Sequence, residues 1–368
     1  MRKDPDVARG LKAGAIGRTG RGNFGHGLHT CYGEVDGIDL VAVADEDEDG
    51  RAKAVADTGA ERAYADYREM LACEDLDVVS VCPRWVDCHE EMITDALDSG
   101  CHVYSEKPMT SAPDAADGII ALADSKNLKI AVAHQAAYLP QVREALRIVA
   151  DGQIGRLRRM VAAGKMDHRG GGEDMIVLGT HLFNLMRIVA GDPAGVSGRV
   201  TVDGQSITPS DVREAGEPVG FIAGDRVHGH FAFSNDVTAT FDSWRREERN
   251  GRPYGLVIQG ESGAIAFDAS ASQVAMLEDD AIAHWESGQV WEPLDLDPVP
   301  LMGGNALAIR DLIDAVEEDR DPISSARGAR TALEMILGIY ASEVAGGAHI
   351  SLPLEDRRHP LDVWTVRG

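Results

Sequence analysis

The sequence predicts an α/β fold in two parts: a doubly wound parallel sheet over residues 1–135, then an α+β domain over residues 136–368 built on an antiparallel sheet. Two observations carry that prediction. Over the first part, short apolar β-like runs alternate with helix-like segments, the pattern of β-α-β units joined by right-handed crossovers. Beyond about residue 136 the alternation gives way to helix patterns followed by runs of alternating apolar and polar residues, which suit strands with one face against helices. At 368 residues, 44% of them hydrophobic, the chain is long enough for two cores.

In order, strands are predicted at 11–17, 38–44, 77–83, 101–108 and 128–135, with helices clearest at 87–100 and 111–125. Ser111 followed by Pro113 suits a helix start. The acidic run at 45–49 reads as a solvated loop or a helix start. In the second part a helix over 140–152 stops at Gly152, and another over 173–191 stops at Gly191 with Pro193 behind it. Strands follow at 227–234, 237–243, 254–260 and 263–268, and helices near 304–319 and 328–346 complete the domain.

Composition excludes several classes of function. A formal charge of −25 repels phosphates and argues against nucleic acid as a partner. No apolar run is long enough for a transmembrane helix, and the basic N-terminus has no apolar segment behind it, so neither a membrane span nor a secretory leader is expected. The five cysteines (31, 73, 82, 88 and 101) are an odd number without a CxxC pair, which fits reduced thiols in a cytoplasm. His26 and His29 have helical spacing but no third ligand near them, so no metal is expected.

Directly after the first predicted strand comes GRTGRGNFGHG (17–27). Glycines there let the backbone approach a pyrophosphate, and a helix N-terminus following them favours its charge. Gly20, Gly22 and Gly25 match G-x-G-x-x-G letter for letter. Gly17, Thr19 and Gly22 match it with Thr in the middle place, and this register is preferred because it begins where the strand ends. Asp45, at the end of the second strand, supplies a carboxylate for the adenosine ribose hydroxyls. Turn, acid and β-α-β pattern together predict dinucleotide binding through Gly17, Thr19, Gly20, Gly22 and Asp45. The acids 46–49 would repel a 2′-phosphate, so NAD is favoured over NADP.

The run HVYSEKP (102–108) ends in Glu106, Lys107 and Pro108 at the carboxyl end of a strand, where ligands of open α/β sheets sit. A lysine there can hydrogen-bond a substrate hydroxyl and stabilise the alkoxide that develops. The plain alternative is a lysine snorkelling at a strand edge. Pro83, Arg84 and Trp85 end the preceding strand and border the same position.

The chain resembles the glucose–fructose oxidoreductase / inositol dehydrogenase (Gfo/Idh/MocA) family over nearly its whole length. The resemblance rests on AIGRTGRG, VAVAD, GCHVYSEKP, GQIGRL (152–157), LGTHLFNLMRIVAGDP (178–193), YGLVIQGESGAI (254–265) and SLPLEDRRHPL (351–361). It implies an N-terminal Rossmann domain and a C-terminal domain whose open antiparallel sheet serves oligomer contacts, in a homodimer or homotetramer. It also implies NAD(P)-dependent oxidation or reduction of a CH–OH group in a sugar, polyol or sugar derivative. Lys107 is then catalytic, with Glu106 and Pro83 beside the cofactor.

His181 shares an apolar helical stripe with Leu178, Leu182 and Leu185, and on spacing alone reads as a core histidine. The resemblance assigns it the acid/base role of the family's D-x-G-x-H motif. The pattern departs at Val177, where Asp is common, at Asn184, where Asp is also common, and at Ala137, where an Arg often precedes the aromatic residue. Glu173 and Asp174, behind RGGG, are candidates to supply the missing carboxylate; the alternative is a helix-start pair favoured by the dipole. His134, Asp167 and His168 are further candidates for substrate contact, against structural or solvated readings of the same residues. The leading expectation is an NAD-dependent dehydrogenase or reductase of a carbohydrate-like alcohol. Two alternatives remain: a hydrolase or lyase using bound NAD for transient oxidation, and a non-catalytic NAD-binding regulatory protein.

Overall fold

The computed structural model describes residues 10–246, 255–268, 274–277, 291–297 and 299–367; the N-terminal reading over residues 1–9 and the strand start at Tyr254 lie outside them. The chain forms two compact units. One holds the residues up to Glu106 together with Ile119–Ala133 and Asn305–Ser325; the other holds Lys107–Gly118, His134–Gly304 and the residues from Ala326 onward.

The first unit is built on six parallel strands: β1 (Leu11–Ile16), β2 (Ile38–Ala44), β3 (Arg62–Tyr64), β4 (Val78–Val81), β5 (His102–Ser105) and β6 (Ile130–Val132). Their order across the sheet is β3-β2-β1-β4-β5-β6. That is the doubly wound order whose switch point falls between β1 and β4. Residues 13, 15 and 16 of β1 and all four of β4 are buried, as expected for central strands covered on both faces. Helices α1 (Glu48–Thr58), α2 (Tyr67–Cys73), α3 (His89–Asp98) and α4 (Pro113–Ser125, of which the part up to Gly118 lies in the second unit) follow β2, β3, β4 and β5. The acidic run resolves into a helix start. Asp45 is buried, Asp47 caps α1 by accepting from Gly50 N at 2.7 Å, and Glu48 and Asp49 occupy the first turn.

One sequence expectation fails in this unit, and one element was not anticipated. No α-helix follows the glycine turn: β1 and β2 are joined by turns and one short 3₁₀ segment, Cys31–Glu34. Residues 20–37 contain six glycines, each about 1 kcal/mol poorer than alanine in a helix, and five of them adopt positive φ. The three-residue β3 was not anticipated, because a run that short carries no readable period.

The second unit contains α5 (Pro140–Ala150), α6 (Gly172–Val177), α7 (Gly179–Ala190) and, after α8 (Gly304–Glu317) of which all but Gly304 lies in the first unit, α9 (Ala326–Val344). Its main sheet runs Glu292–Pro293, Val274–Leu277, Ala264–Asp268, Gly255–Gly260, Leu157–Ala163, Thr238–Trp244, Arg226–Ala232, Gly195–Val202 and Ile350–Ser351, with Gln205–Ser206 paired to Gly195–Val202. The sheet is mixed, mostly antiparallel: Leu157–Ala163 and Thr238–Trp244 pair in parallel. Residue alternation sets which face a side chain takes, but not the direction of the neighbouring strand, so this pairing was hidden from the sequence. The helix expected over 173–191 is two helices meeting at Leu178 (φ −113°, ψ −41°). Gly179 begins the second, and its bare Cα lies where a Cβ would be 3.1 Å from the Phe241 ring.

Burial of His359 makes this unit acid-sensitive. The ring is 6% exposed beside Tyr340 and Phe221, and desolvation lowers its pKa to about 4. Below about pH 6.5 the unfolded chain binds a proton that the folded ring refuses, so stability falls as pH drops from 6.5 to 4, by about 3 kcal/mol over the window. Urea unfolding at pH 7 and pH 4.5 is expected to show a drop that His359→Phe largely removes; equal pH dependence in both proteins would refute the assignment.

Candidate functional site

In the first unit the residues that the sequence puts forward for cofactor binding gather at the carboxyl edge of β1, β2, β4 and β5. Gly17 N donates to Ala44 O at 2.8 Å and extends the sheet by one residue. The chain then closes on itself, Arg18 and Asn23 exchanging backbone bonds at 3.1 and 2.9 Å, while Gly20 N donates to Asn23 Oδ1 at 2.9 Å. Gly22 (φ +94°) presses against the turn after β4: its carbonyl accepts from Arg84 N at 3.3 Å, and a Cβ would lie 2.3 Å from that nitrogen. Gly25 (φ +57°) is confined likewise, with a Cβ 2.2 Å from Cys82 O and 2.8 Å from the Glu106 side chain. Glycines of both competing registers are therefore required, and Gly25, passed over in the preferred register, is one of them.

Thr19 and Asp45 form the second element. The Asp45 carboxylate, 2% exposed, accepts from Thr19 N at 3.0 and 3.2 Å, from Thr19 Oγ1 at 2.8 Å and from Asp47 N at 3.0 Å. Its orientation is set before any ligand arrives, and the two oxygens retain part of their acceptor capacity. Gly50 makes the approach feasible, since a Cβ there would sit 1.9 Å from Thr19 Oγ1. Glu46 to Asp49 stand exposed immediately beyond.

Glu106 is fully buried at the end of β5 and accepts from His26 N at 2.9 Å; its Oε1 also meets His26 Nδ1. Asn305 Nδ2 donates to His26 O at 3.0 Å and its Oδ1 accepts from Tyr104 OH at 2.7 Å. The glycine turn, β5 and the start of α8 are thereby bonded together. His26 and Asn305 were missed as contributors. His26 had been weighed only as a metal ligand, and nothing local marks Asn305, nearly 280 residues away. Pro83 is pinned through its carbonyl, which meets His89 Nε2 at 2.6 Å. Arg21 lies over the Trp85 ring at 5.3 Å. Among the described residues no group of three or more His, Cys, Asp or Glu side chains is placed to hold a metal.

In the second unit Lys107, 5% exposed, donates from Nζ to the carbonyl of Val177 at 2.8 Å. The position where the resemblance expects a carboxylate thus meets the lysine with its backbone. His181 (4% exposed) and His134 (1% exposed) lie ring edge to ring face, centroids 5.5 Å apart, and His134 Nε2 meets Thr180 Oγ1 at 2.9 Å. The structure therefore brings together Lys107 with Val177, and His134 with His181. Asp174 is fully buried and engaged by Lys165 N, Met166 N and Ser243 Oγ; burial raises its pKa. Glu173 accepts from Gly216 N at 3.2 Å and Arg213 Nη2 at 3.4 Å. Asp167 is buried, which pushes its pKa up, but its bonds to Arg169 at 2.7 and 2.9 Å outweigh this and hold the carboxyl below its usual range. His168 is exposed beside it.

A six-stranded parallel sheet in this order, with a glycine turn, an oriented acid and a buried strand-end carboxylate at its carboxyl edge, defines a dinucleotide-binding protein. Residues 14–134 match the family model described as "Oxidoreductase family, NAD-binding Rossmann fold" (Gfo/Idh/MocA). Over this segment, about a third of the chain, the protein is similar to the Gfo/Idh/MocA oxidoreductases that its motifs resemble. An inositol 2-dehydrogenase of Pseudomonas savastanoi pv. phaseolicola is 30% identical over 190 residues, 50% of this chain and 55% of that one. A D-apiose dehydrogenase of Paraburkholderia graminis is 25% identical over 203 residues, 52% of this chain and 54% of that one. The chain spans about half the length of these curated relatives. The solved structure of a levoglucosan dehydrogenase in complex with NADH and levoglucosan has a TM-score of 0.76 at 18% identity, covering 93% of this chain and 99% of that one. An oxidoreductase from Agrobacterium radiobacter in complex with NAD+, L-tartaric acid and magnesium has a TM-score of 0.73 at 16% identity, covering 93% and 98%. At these identities the two structures establish the shared fold.

Proposed function

We propose that the protein is an NAD-dependent dehydrogenase or reductase acting on a CH–OH group of a sugar, polyol or sugar derivative. The observation that carries the reading is Lys107: a buried ammonium one residue beyond Glu106, at the end of β5 in an NAD-binding fold. The named activities of the relatives, on inositol, apiose and levoglucosan, support the substrate class. In this reading residues 1–135 hold the cofactor, and residues 136–368 hold the substrate and the contacts of a homodimer or homotetramer.

The residues present fit NAD. The backbone at Gly22 and Gly25 is bare where a side chain would not fit, and Asp45 is oriented at the edge of β2. Gly17, Thr19, Gly20, Gly22 and Asp45 would hold the adenosine and pyrophosphate, with Pro83 and Glu106 beside the nicotinamide. When bound, NAD supplies the two-electron acceptor. Lys107 donates a hydrogen bond to the substrate oxygen and stabilises its developing negative charge, while His181 takes the hydroxyl proton at a ring nitrogen. His134, Asp167, His168 and Glu173 line the substrate side. No helix of the described residues is long and apolar enough to cross a membrane; the odd number of cysteines without a CxxC pair supports a cytoplasmic location.

Cofactor choice follows from charge. The exposed acids after Asp45 disfavour a 2′-phosphate, so NAD should bind at least about ten-fold tighter than NADP. Asp45→Ala should weaken NAD by about ten-fold and narrow that preference, with Thr19→Val as the control for the lost orienting bond. Fluorescence titration with both dinucleotides checks this; an Asp45→Ala protein with wild-type NAD affinity would remove Asp45 from the site.

The function itself is tested with a panel of sugars, inositols and glycosides plus NAD, following NADH absorbance and analysing products. NADH formed with one substrate class supports the proposal and names the class. Glycoside cleavage without NADH would replace it with redox-assisted elimination, and NAD binding without turnover of any compound would leave a cofactor-binding regulator.

A further inference from the structure

One buried carboxylate fixes the helix start that leads to Val177 and His181 in the second unit. Asp174 Oδ1 accepts from Lys165 N at 3.2 Å; its Oδ2 accepts from Met166 N at 3.0 Å and from Ser243 Oγ at 2.5 Å. Ser243 Oγ in turn accepts from Gly171 N at 3.0 Å. Gly164 leaves room for the cluster, since a Cβ there would lie 2.2 Å from Asp174 Oδ2. The end of Leu157–Ala163, the end of Thr238–Trp244 and the first turn of α6 are thereby fixed to one another.

Three residues beyond Asp174, α6 ends at Val177. Leu178 N still bonds Asp174 O at 3.0 Å, but His181 N, the amide that a continuous helix would aim at Val177 O, bonds Leu178 O at 3.3 Å. The Val177 carbonyl leaves the helical ladder and accepts from Lys107 Nζ instead. In a continuous helix that carbonyl would be shared with the His181 amide; at the break the lysine takes the place of that amide.

We propose that Asp174 and Ser243 position Lys107 through the carbonyl of Val177, which makes Asp174 a positioning residue and not a substrate ligand. The inference rests on the reading of Lys107 given under Proposed function. Its chemical consequence concerns charge. A carboxylate beside the ammonium would neutralise part of its field and stabilise its protonated form. A carbonyl orients the same ammonium and leaves its full charge for the oxyanion that develops on the substrate. The clamp thus serves in place of the acid that Val177 replaces, by geometry and without a competing negative charge at the lysine.

The test is trace acetylation of Lys107 with acetic anhydride across a pH series in the full-length protein, read by mass spectrometry, for wild type, Asp174→Asn and Ser243→Ala. Lys12, Lys53, Lys126 and Lys129 serve as internal references. Loosening the clamp should speed Lys107 acetylation about three- to ten-fold, the weight of one hydrogen bond, with the references and NAD affinity unchanged. With a turned-over substrate, kcat should fall while KM stays within about two-fold of wild type. Unchanged Lys107 acetylation in folded variants overturns the proposal, as does a rise in KM alone, which would make Asp174 a substrate ligand. If Asp174→Asn does not fold, Ser243→Ala decides. Acetylation is read without turnover, so an inactive wild type would sink the proposed function and leave this comparison standing.

Discussion

Lys107→Met should leave a folded protein that binds NAD with near wild-type affinity and turns over about 10²- to 10⁴-fold more slowly. Lys107 is almost wholly buried, and methionine fills a similar unbranched volume without a charge to desolvate. In the proposed mechanism what disappears is the donor to the substrate oxygen. The Val177 carbonyl also loses its bond from Nζ, at about 1–3 kcal/mol, a penalty to stability and not to cofactor binding. Lys107→Arg should recover little, because a planar fork does not fit a position built for a compact ammonium. Calorimetric titration with NAD, thermal melting and steady-state rates on one preparation separate these effects. Unchanged turnover would remove Lys107 from the chemistry, and lost NAD affinity would make it a cofactor ligand only.

The second large effect is expected at His181. His181→Asn keeps a hydrogen-bonding side chain of smaller size but nothing that can take a proton near neutrality, and kcat should fall by about 10²- to 10⁴-fold. A general base acts in its neutral form, so in the oxidation direction the wild-type rate should fall at acid pH. In His181→Asn that acid limb should vanish and leave a low, flat rate. A variant that kept the limb would assign it to another group, and His134, whose ring meets that of His181, would be the next residue to replace. Retained activity with lowered stability would return His181 to the core histidine that its helical stripe suggests.

Most of the first unit was legible because its signals are local and repeated. Strand, turn and acid recur at spacings that a parallel sheet imposes, and β1, β2, β4 and β5 fall where the apolar runs stand. The same local rules misled at residues 20–37. A crossover helix is the usual occupant there, but the glycines that free the turn also forbid the helix. In the second unit Leu182 and Leu185 are buried as the stripe implies, but α7 is buried on every side from Gly179 to Met186, and the break inside the predicted helix was not foreseen. Leu178 has no unusual residue type, and the close approach of Gly179 to Phe241 lies some sixty residues away in sequence, out of reach of a local pattern. The acids behind RGGG stood as candidates for the missing carboxylate, against a helix-start pair. Their part was hidden, because the groups that engage Asp174 are backbone amides and a serine on a distant strand. His26 and Asn305 escaped notice for a related reason: each matters through a bond to a residue far along the chain.

The central claim is that this chain moves a hydrogen from a carbon–oxygen centre of a polyhydroxylated substrate to NAD, with Lys107 required. The most direct measurement is to incubate wild type and Lys107→Met with NAD and sugars and polyols deuterated at their CH–OH carbons, then analyse the dinucleotide by mass spectrometry. Reduced NAD carrying one deuterium in the wild-type reaction, and nearly none with Lys107→Met, is the predicted result. Dinucleotide that stays oxidised and unlabelled while substrate is consumed, or equal labelling by the two proteins, would contradict it.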